Sequence, residues 1–274
     1  MNPEAVFKAY DIRGRTDTGE ISPDLYYRIG VAIVSVFGVS SFAVGRDCRQ
    51  SSEGLADALT DGLTVAGANV VDLGEIPTDA LYYYSGKYAI AGGVITASHN
   101  PSEYNGLKIC RAGAVPVGAE SGLQEIKAAM KAHSKPAADV AHGSVVAFDP
   151  LPGYLDHLFE VVDPRSIGPL RVAVDGGNGM AGVALSRVFD RIPAHLDGLY
   201  LEPDGTFPNH PADPLQPENV LELVEMVGTG DYDLGVAFDG DADRAFFIDD
   251  QGAPLSGSTV TSLIARWMLE RNPG

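Results

Sequence analysis

Short apolar runs that end in small or polar residues alternate along this chain with amphipathic segments of helix length, and this alternation constrains the fold more than any other feature. Parallel strands need a crossover of a dozen or more residues, usually a helix, so the pattern predicts βαβ units and a largely parallel sheet. Residues 41–45 read as a strand, 53–67 as a helix, 69–73 as a strand, 79–88 as a helix after the turn at Pro77, and 90–96 as a strand. A strand at 106–110 and a helix at 120–133 follow, and 134–143 is small and polar enough to be a connector. The pattern then restarts with a helix at 153–161, a strand at 170–175, a glycine-rich turn and a helix at 180–189. A long irregular loop at 203–217 precedes a helix at 218–227, strands at 234–238 and 245–249, and a helix at 257–271. The expected fold class is therefore α/β: two consecutive α/β domains with mixed, largely parallel sheets, plus the opening helix of a third domain. The expected bounds are 1–145, 146–253 and 254–274, and a length of 274 residues suits two cores better than one. Val44-Gly45-Arg46-Asp47 and Val174-Asp175-Gly176-Gly177 suggest that the two units are distant copies.

The net charge of -18 argues against nucleic acid as a partner, because backbone binding needs a basic face. An anionic substrate would need a local basic pocket. Hydrophobic residues at 45% and charged residues at 20% are ordinary for a soluble globular chain. The greasiest stretch, 29–44, is interrupted by Ser35, Gly38, Ser40 and Ser41 and is too short to span a bilayer. Residues 1–15 lack the apolar segment of a secretion signal, so no membrane partner and a cytoplasmic location are expected. Cys48 and Cys110 stand far apart and outside any metal or disulfide pattern; Arg46 and Arg49 near Cys48 would lower its pKa, but neither cysteine is given a role.

Asp239-Gly240-Asp241-Ala242-Asp243-Arg244 places three carboxylates at alternate positions with only glycine and alanine between them. Two such charges about 4 Å apart repel by roughly 4 kcal/mol at an effective dielectric near 20, so their convergence calls for a cation. A hard oxygen-seeking ion such as magnesium suits them, with positions left open for phosphate and water. A solvated acidic turn is the plain alternative. An EF-hand is excluded, since Arg244 stands where that loop requires glycine and the flanks read as strands. A second group, Thr96-Ala97-Ser98-His99-Asn100-Pro101 followed by Tyr104-Asn105-Gly106-Leu107-Lys108, puts Ser98 just past a strand end, where open sheets bind ligands. His99 and Lys108 are candidates for proton transfer or for cradling phosphate. Thr96 and Asn100 occupy the positions where a serine hydrolase needs glycine. Gly177-Asn178-Gly179-Met180-Ala181-Gly182, with Asp197 beyond it, fits a dinucleotide-binding fingerprint, although it lies in the second unit rather than the first.

Thr96 to Pro101 with Asn105 to Lys108 resembles the phosphoserine loop of the α-D-phosphohexomutases, and Asp239 to Arg244 resembles that family's magnesium loop. Phe7 to Gly14, Gly45-Arg46-Asp47 and Asp204 to His210 are also similar to the family, so the likeness spans essentially the whole chain. The resemblance implies a phosphoryl group carried on Ser98 and passed to a hexose phosphate, giving a bisphosphosugar that returns its other phosphoryl group. It implies interconversion of hexose 1- and 6-phosphates of mannose or glucose, with hexose 1,6-bisphosphate as activator. Magnesium would sit on Asp239, Asp241, Asp243 and the Ser98 oxygen. Arg13, His99, Lys108 and Arg244 would serve catalysis, with Tyr10, Arg13 and Lys108 binding substrate and Lys108 favoured for proton transfer. Ala242 replaces the family's usual glycine, which is tolerable if the backbone there avoids positive φ. The family's third and fourth domains, which read the sugar and hold the distal phosphate, are expected to be missing, so the chain would be a fragment of low activity. The alternatives are phosphoglucosamine mutase, from which Thr96 tilts the reading away, an NAD-binding oxidoreductase, and a non-catalytic module.

Overall fold

The computed structural model describes residues 5–132 and 140–272, so most of the expected connector at 134–143 and the end of the helix expected at 120–133 lie outside the described residues. Strand β2 (Ser41–Arg46), helix α2 (Ser52–Val65) and strand β3 (Asn69–Glu75) form the first βαβ unit, with the strands parallel. Phe42, Val44 and Val70 of the strands share one core with Leu55, Leu59 and Leu63 of the helix. Helix α3 (Thr78–Tyr88) leads into β4 (Gly92–Ile95), parallel to β2. The chain then reverses into β5 (Tyr104–Arg111), antiparallel to β4, and β1 (Ile12–Arg15) lies antiparallel beyond it. Short β6 (Val115–Pro116) pairs with β5, and β7 (Val145–Ala147) extends the far edge beside β3. The strand order β1-β5-β4-β2-β3-β7 is thus parallel in the middle and antiparallel toward one edge.

Helix α1 (Pro23–Phe37) overlaps the stretch 29–44, which the apolar pattern marks only as greasy and interrupted. Ser22 caps it by accepting from the Leu25 amide, Pro23 starts it, and Gly38 closes it at φ 64°. It meets α2 backbone to backbone, since a Cβ on Gly62 would come 2.0 Å from the Tyr27 carbonyl oxygen. Helix α4 (Gln124–Lys131) then packs Ile126 and Met130 into the same core.

The second sheet has the order β11-β10-β8-β9. Strands β8 (Arg171–Asp175), β9 (His195–Leu199) and β10 (Leu234–Phe238) are parallel, and β11 (Ala245–Ile248) returns antiparallel to β10. Helix α5 (Leu151–Val161) leads in, packing Leu151 with Leu81 and Tyr84 of α3. Helix α6 (Gly182–Phe189) covers one face of the sheet through Leu185, and α7 (Leu221–Thr229) covers the other through Leu223 and Val227. Helix α8 (Gly257–Arg271) has no buried residue and leaves Leu263, Ile264, Trp267 and Met268 about half exposed. No helix among the described residues is long and apolar enough to cross a membrane.

Ser98 follows β4, Arg49 follows β2, Asp175 ends β8 and Asp239 follows β10. The carboxyl ends of parallel strands are where open α/β sheets bind ligands, and here both sheets contribute theirs to one place.

Candidate active site

A buried serine at a strand end needs its backbone held, and three contacts do this for Ser98. Its amide donates to Thr96 Oγ1 at 2.8 Å, Arg49 Nη2 donates to its carbonyl at 2.8 Å, and Arg13 Nη1 grips the neighbouring Ala97 carbonyl at 3.0 Å. Ser98 itself sits at φ 53°, a left-handed conformation that costs a non-glycine residue about 1–2 kcal/mol and is found mostly at functional turns. Its Oγ donates to Asp239 Oδ2 at 2.7 Å and accepts from Arg244 Nη2 at 2.6 Å.

The aspartate loop joins β10 to β11, and its three carboxylates each offer an oxygen within 4.8 Å of the others. Asp239 and Asp241 are fully buried and Asp243 is partly so. Thr78, at the start of α3, holds Asp241 twice, from its hydroxyl to Oδ2 at 2.5 Å and from its amide to the backbone carbonyl at 3.0 Å. Lys108 Nζ bridges Asp241 Oδ2 and Asp243 Oδ2. Burial alone would raise the Asp241 carboxyl, but Lys108 more than offsets it and holds it below the ordinary range. Burial and then the Asp241 charge push Asp239 the other way, up to about 7. Asp241 Oδ1 is buried with no hydrogen-bond partner. A buried carboxylate oxygen left unpaired costs free energy unless something hard and positive meets it. The all-oxygen donor set therefore fits a divalent cation such as magnesium or calcium, and these three aspartates could hold a metal ion.

Arg13, Ser98, His99, Lys108, Asp243 and Arg244, with Asp11, line an open cleft of about 440 Å³. This supplies the local basic pocket that so acidic a chain needs for an anion. His99 Nδ1 lies 2.6 Å from Arg244 Nη2, and because arginine only donates, that nitrogen must be an acceptor. Burial, then the Arg244 charge, lower the imidazole pKa, so His99 is neutral here. Lys108 is the opposite case: burial lowers it, but the two carboxylates outweigh burial and keep it firmly charged. Tyr10 is 85% exposed and does not line the cleft. The structure thus brings together Arg13, Ser98, His99, Lys108, Arg244 and the three aspartates, and leaves Tyr10 outside.

Two features go beyond the sequence reading. Arg49 is completely buried and braces the serine loop, and the loop at 204–210 reaches across from the second unit to meet it. A Cβ on Gly205 would come 2.3 Å from the Cys48 carbonyl oxygen, and the Phe207 ring stacks on the Arg49 guanidinium at 4.8 Å. The Cys48 thiol is pushed up to about 12 by burial and by Asp47, with Arg49 only partly opposing, so the lowered pKa suggested by its arginine neighbours does not arise. At the base of the same loop His210 Nε2 faces Asp175 Oδ2 at 2.9 Å and Nδ1 faces the Pro211 carbonyl at 2.8 Å. Both partners only accept, so His210 is an imidazolium, its pKa raised chiefly by Asp175. A raised folded-state pKa gives stability that is fully present below the unfolded value near 6.5 and is lost as pH rises through the folded value. The stability gap between wild type and His210→Gln, measured by urea denaturation, is expected to be widest near pH 6 and to narrow toward pH 9. A gap that ignores pH would refute the imidazolium.

The dinucleotide reading fails on packing. A Cβ on Gly179 would meet the Gly240 backbone at 2.6 Å, and one on Gly182 would meet the Leu201 carbonyl at 1.6 Å. The glycines admit the chain's own loops, and the pyrophosphate's place is filled. Asp197 pairs instead with Arg171 and His195.

Sequence comparison agrees with this geometry. Residues 4–137 match the model of phosphoglucomutase/phosphomannomutase α/β/α domain I, and residues 152–252 match that of α/β/α domain II. The chain belongs to the phosphoglucomutase/phosphomannomutase family. It is 37% identical to a phosphomannomutase of Salmonella montevideo, over 100% of this chain and 61% of that protein. It is 38% identical to the phosphohexose mutases of Xanthomonas campestris pv. campestris, over 98% of this chain and 60% of that protein. A phosphoglucomutase/phosphomannomutase family protein of Burkholderia thailandensis superposes with a TM-score of 0.87 at 33% identity, covering 99% of this chain and 60% of that one. The chain spans about three fifths of the length of the curated relatives it matches.

Against the family pattern, Ala242 does not avoid positive φ as expected: it sits at φ 59°. The left-handed backbone costs alanine about 1–2 kcal/mol, part of which glycine would lose again through unfolded-state entropy. Ala242→Gly is expected to stabilise the chain by about 0.5–1 kcal/mol and raise Tm by roughly 1–4 °C in a calorimetric scan. No rise would show that the loop relaxes away from this conformation.

Proposed function

We propose that this chain carries the phosphoserine and metal-binding half of a phosphohexomutase that interconverts hexose 1-phosphate and hexose 6-phosphate, with mannose or glucose as the sugar and hexose 1,6-bisphosphate as activator. The observation that carries the reading is the 2.7 Å contact between Ser98 Oγ and Asp239 Oδ2, which sets a nucleophilic oxygen against a cation-binding carboxylate cluster inside a basic cleft.

In this reading a hydroxyl of the bound sugar phosphate attacks the phosphorus on Ser98. The new sugar O–P bond forms as the Ser98 Oγ–P bond breaks, and the hydroxyl proton passes to a base on the chain. Lys108 on the cleft wall is the proposed proton carrier: charged while it bridges Asp241 and Asp243, it would become free to act as base once a divalent cation takes those carboxylates from it, and it returns the proton to the sugar oxygen when phosphate goes back to Ser98. Arg244, already donating to Ser98 Oγ, stabilises that oxygen as it leaves. Arg13 and Lys108 supply charge for the substrate's phosphates, and His99 keeps Arg244 aimed at Ser98. Magnesium on Asp239, Asp241 and Asp243 would neutralise charge on the transferred phosphoryl group. We read the domain division at residues 145 and 253, with the exposed apolar face of α8 opening a third unit, and we assign the protein to the cytoplasm. The phosphoglucosamine reading is favoured by nothing in the cleft.

The test is the half-reaction. Incubation with glucose 1,6-bisphosphate and magnesium is expected to add one phosphate, mapped by peptide mass spectrometry to Ser98 and absent in Ser98→Ala. Phosphate found on another residue, or none at all, would overturn the assignment.

A further inference from the structure

A fully buried arginine is costly unless every donor is used. Arg49 meets that demand: Nε donates to Asp47 Oδ2 at 3.1 Å, Nη1 to the carbonyls of Pro101 (2.6 Å) and Tyr104 (3.1 Å), and Nη2 to those of Ser98 (2.8 Å) and Asn100 (2.6 Å). Four of its five N–H groups thus end on one loop, the one whose left-handed turn presents Ser98. Asp47 is fixed in turn by the Ser52 hydroxyl at 2.5 Å, so the fork is aimed from behind. The flat face of the guanidinium is covered by Phe207, which arrives from the other sheet on the 204–210 loop. Gly205 allows that loop to lie on the Cys48 and Arg49 backbone.

We propose that Arg49 is the positioning residue for Ser98 and that Phe207 locks it, so that docking of the second unit's 204–210 loop and the placing of Ser98 Oγ against Asp239 are one event. A lysine in this place keeps the charge but loses the planar fork, and a leucine at 207 keeps volume but loses the ring over the cation. The consequence for phosphoryl transfer rests on the function proposed above; the placement of the loop does not.

The experiment compares wild type, Arg49→Lys, Phe207→Leu and Phe207→Tyr by amide hydrogen exchange and by the rate of phosphate uptake from glucose 1,6-bisphosphate. Exchange of the 97–104 amides is expected to rise at least about tenfold in Arg49→Lys and Phe207→Leu, while the 70–75 amides of β3 stay unchanged. Phosphate uptake is expected to slow by at least about tenfold in the same two variants, and Phe207→Tyr restores both readouts. Unchanged exchange in Arg49→Lys overturns the positioning role, and unchanged exchange in Phe207→Leu or no rescue by tyrosine overturns the lock. Faster exchange with normal uptake severs the loop from phosphoryl transfer. If Arg49→Lys does not fold, Phe207→Leu decides. If wild type takes no phosphate, the proposed function falls while exchange still decides the role of Arg49.

Discussion

Magnesium at about a hundred times its dissociation constant is expected to raise the melting temperature of this chain by roughly 5–10 °C, since binding to the folded state alone adds about 2.7 kcal/mol. The gain has a definite source. Asp239, Asp241 and Asp243 crowd their oxygens within 4.8 Å of one another, and one buried oxygen of Asp241 has no partner. Asp241→Asn keeps the shape and the Thr78 contact but removes the central charge, so the magnesium-dependent rise should vanish while the fold persists. Scanning calorimetry with magnesium and with a chelator reads this directly. A mutant that still responds as the wild type does would refute the site.

Gly240→Ala is expected to damage both stability and phosphate uptake. A Cβ there would lie 2.4 Å from the Ser98 carbonyl oxygen, so the serine loop and the aspartate loop must move apart. The atom it meets belongs to backbone, so no side chain can swing away to make room. Overpacking of this kind costs about 1–3 kcal/mol, and a displacement near 1 Å at a reacting atom costs roughly a hundredfold in rate. Thermal melts should show the first loss and phosphate uptake on Ser98 the second. Gly257→Ala, where nothing lies within 4 Å, is the matched control and should change neither. Normal phosphate uptake in Gly240→Ala would mean that the contact between the two loops is not what places Ser98.

Much of this molecule is legible in its order of residues because the features concerned are local. The β2-α2-β3 unit follows from apolar periodicity, and the aspartate loop from three carboxylates at alternate positions between two strands. Helix α1 carries readable caps at Ser22, Pro23 and Gly38, yet the unbroken apolar run 29–34 in its interior masks the period that marks an amphipathic helix. Strand β9, His-Leu-Asp-Gly-Leu, is a sheet edge with no fully buried side chain, so it has no apolar run to announce it. The irregular turn at Ala119–Leu123 ahead of α4 depends on Gly122 at φ 146°, which the helical pattern of 120–133 does not reveal.

The site divides along the same line. Sequence alone supplies the donors: Ser98, Lys108, Arg13, Arg244 and the aspartates are chemically apt wherever they stand. Only tertiary structure sets Ser98 against Asp239 across 141 residues, or Lys108 against Asp243 across 135, because such contacts depend on how two sheets meet. The same holds for what each group is allowed to be. His99 is neutral because Arg244 occupies its Nδ1, His210 is charged because both its nitrogens face acceptors, and Cys48 is inert because burial outweighs its arginine neighbours. Arg49 shows the limit most clearly. Its neighbour Asp47 supplies one local partner that a surface arginine could equally have, and its other four partners come from the distant segment 98–104. Residue type and spacing determine which chemistry is available, while burial and orientation, which arise only when distant segments pack, decide which of it is used.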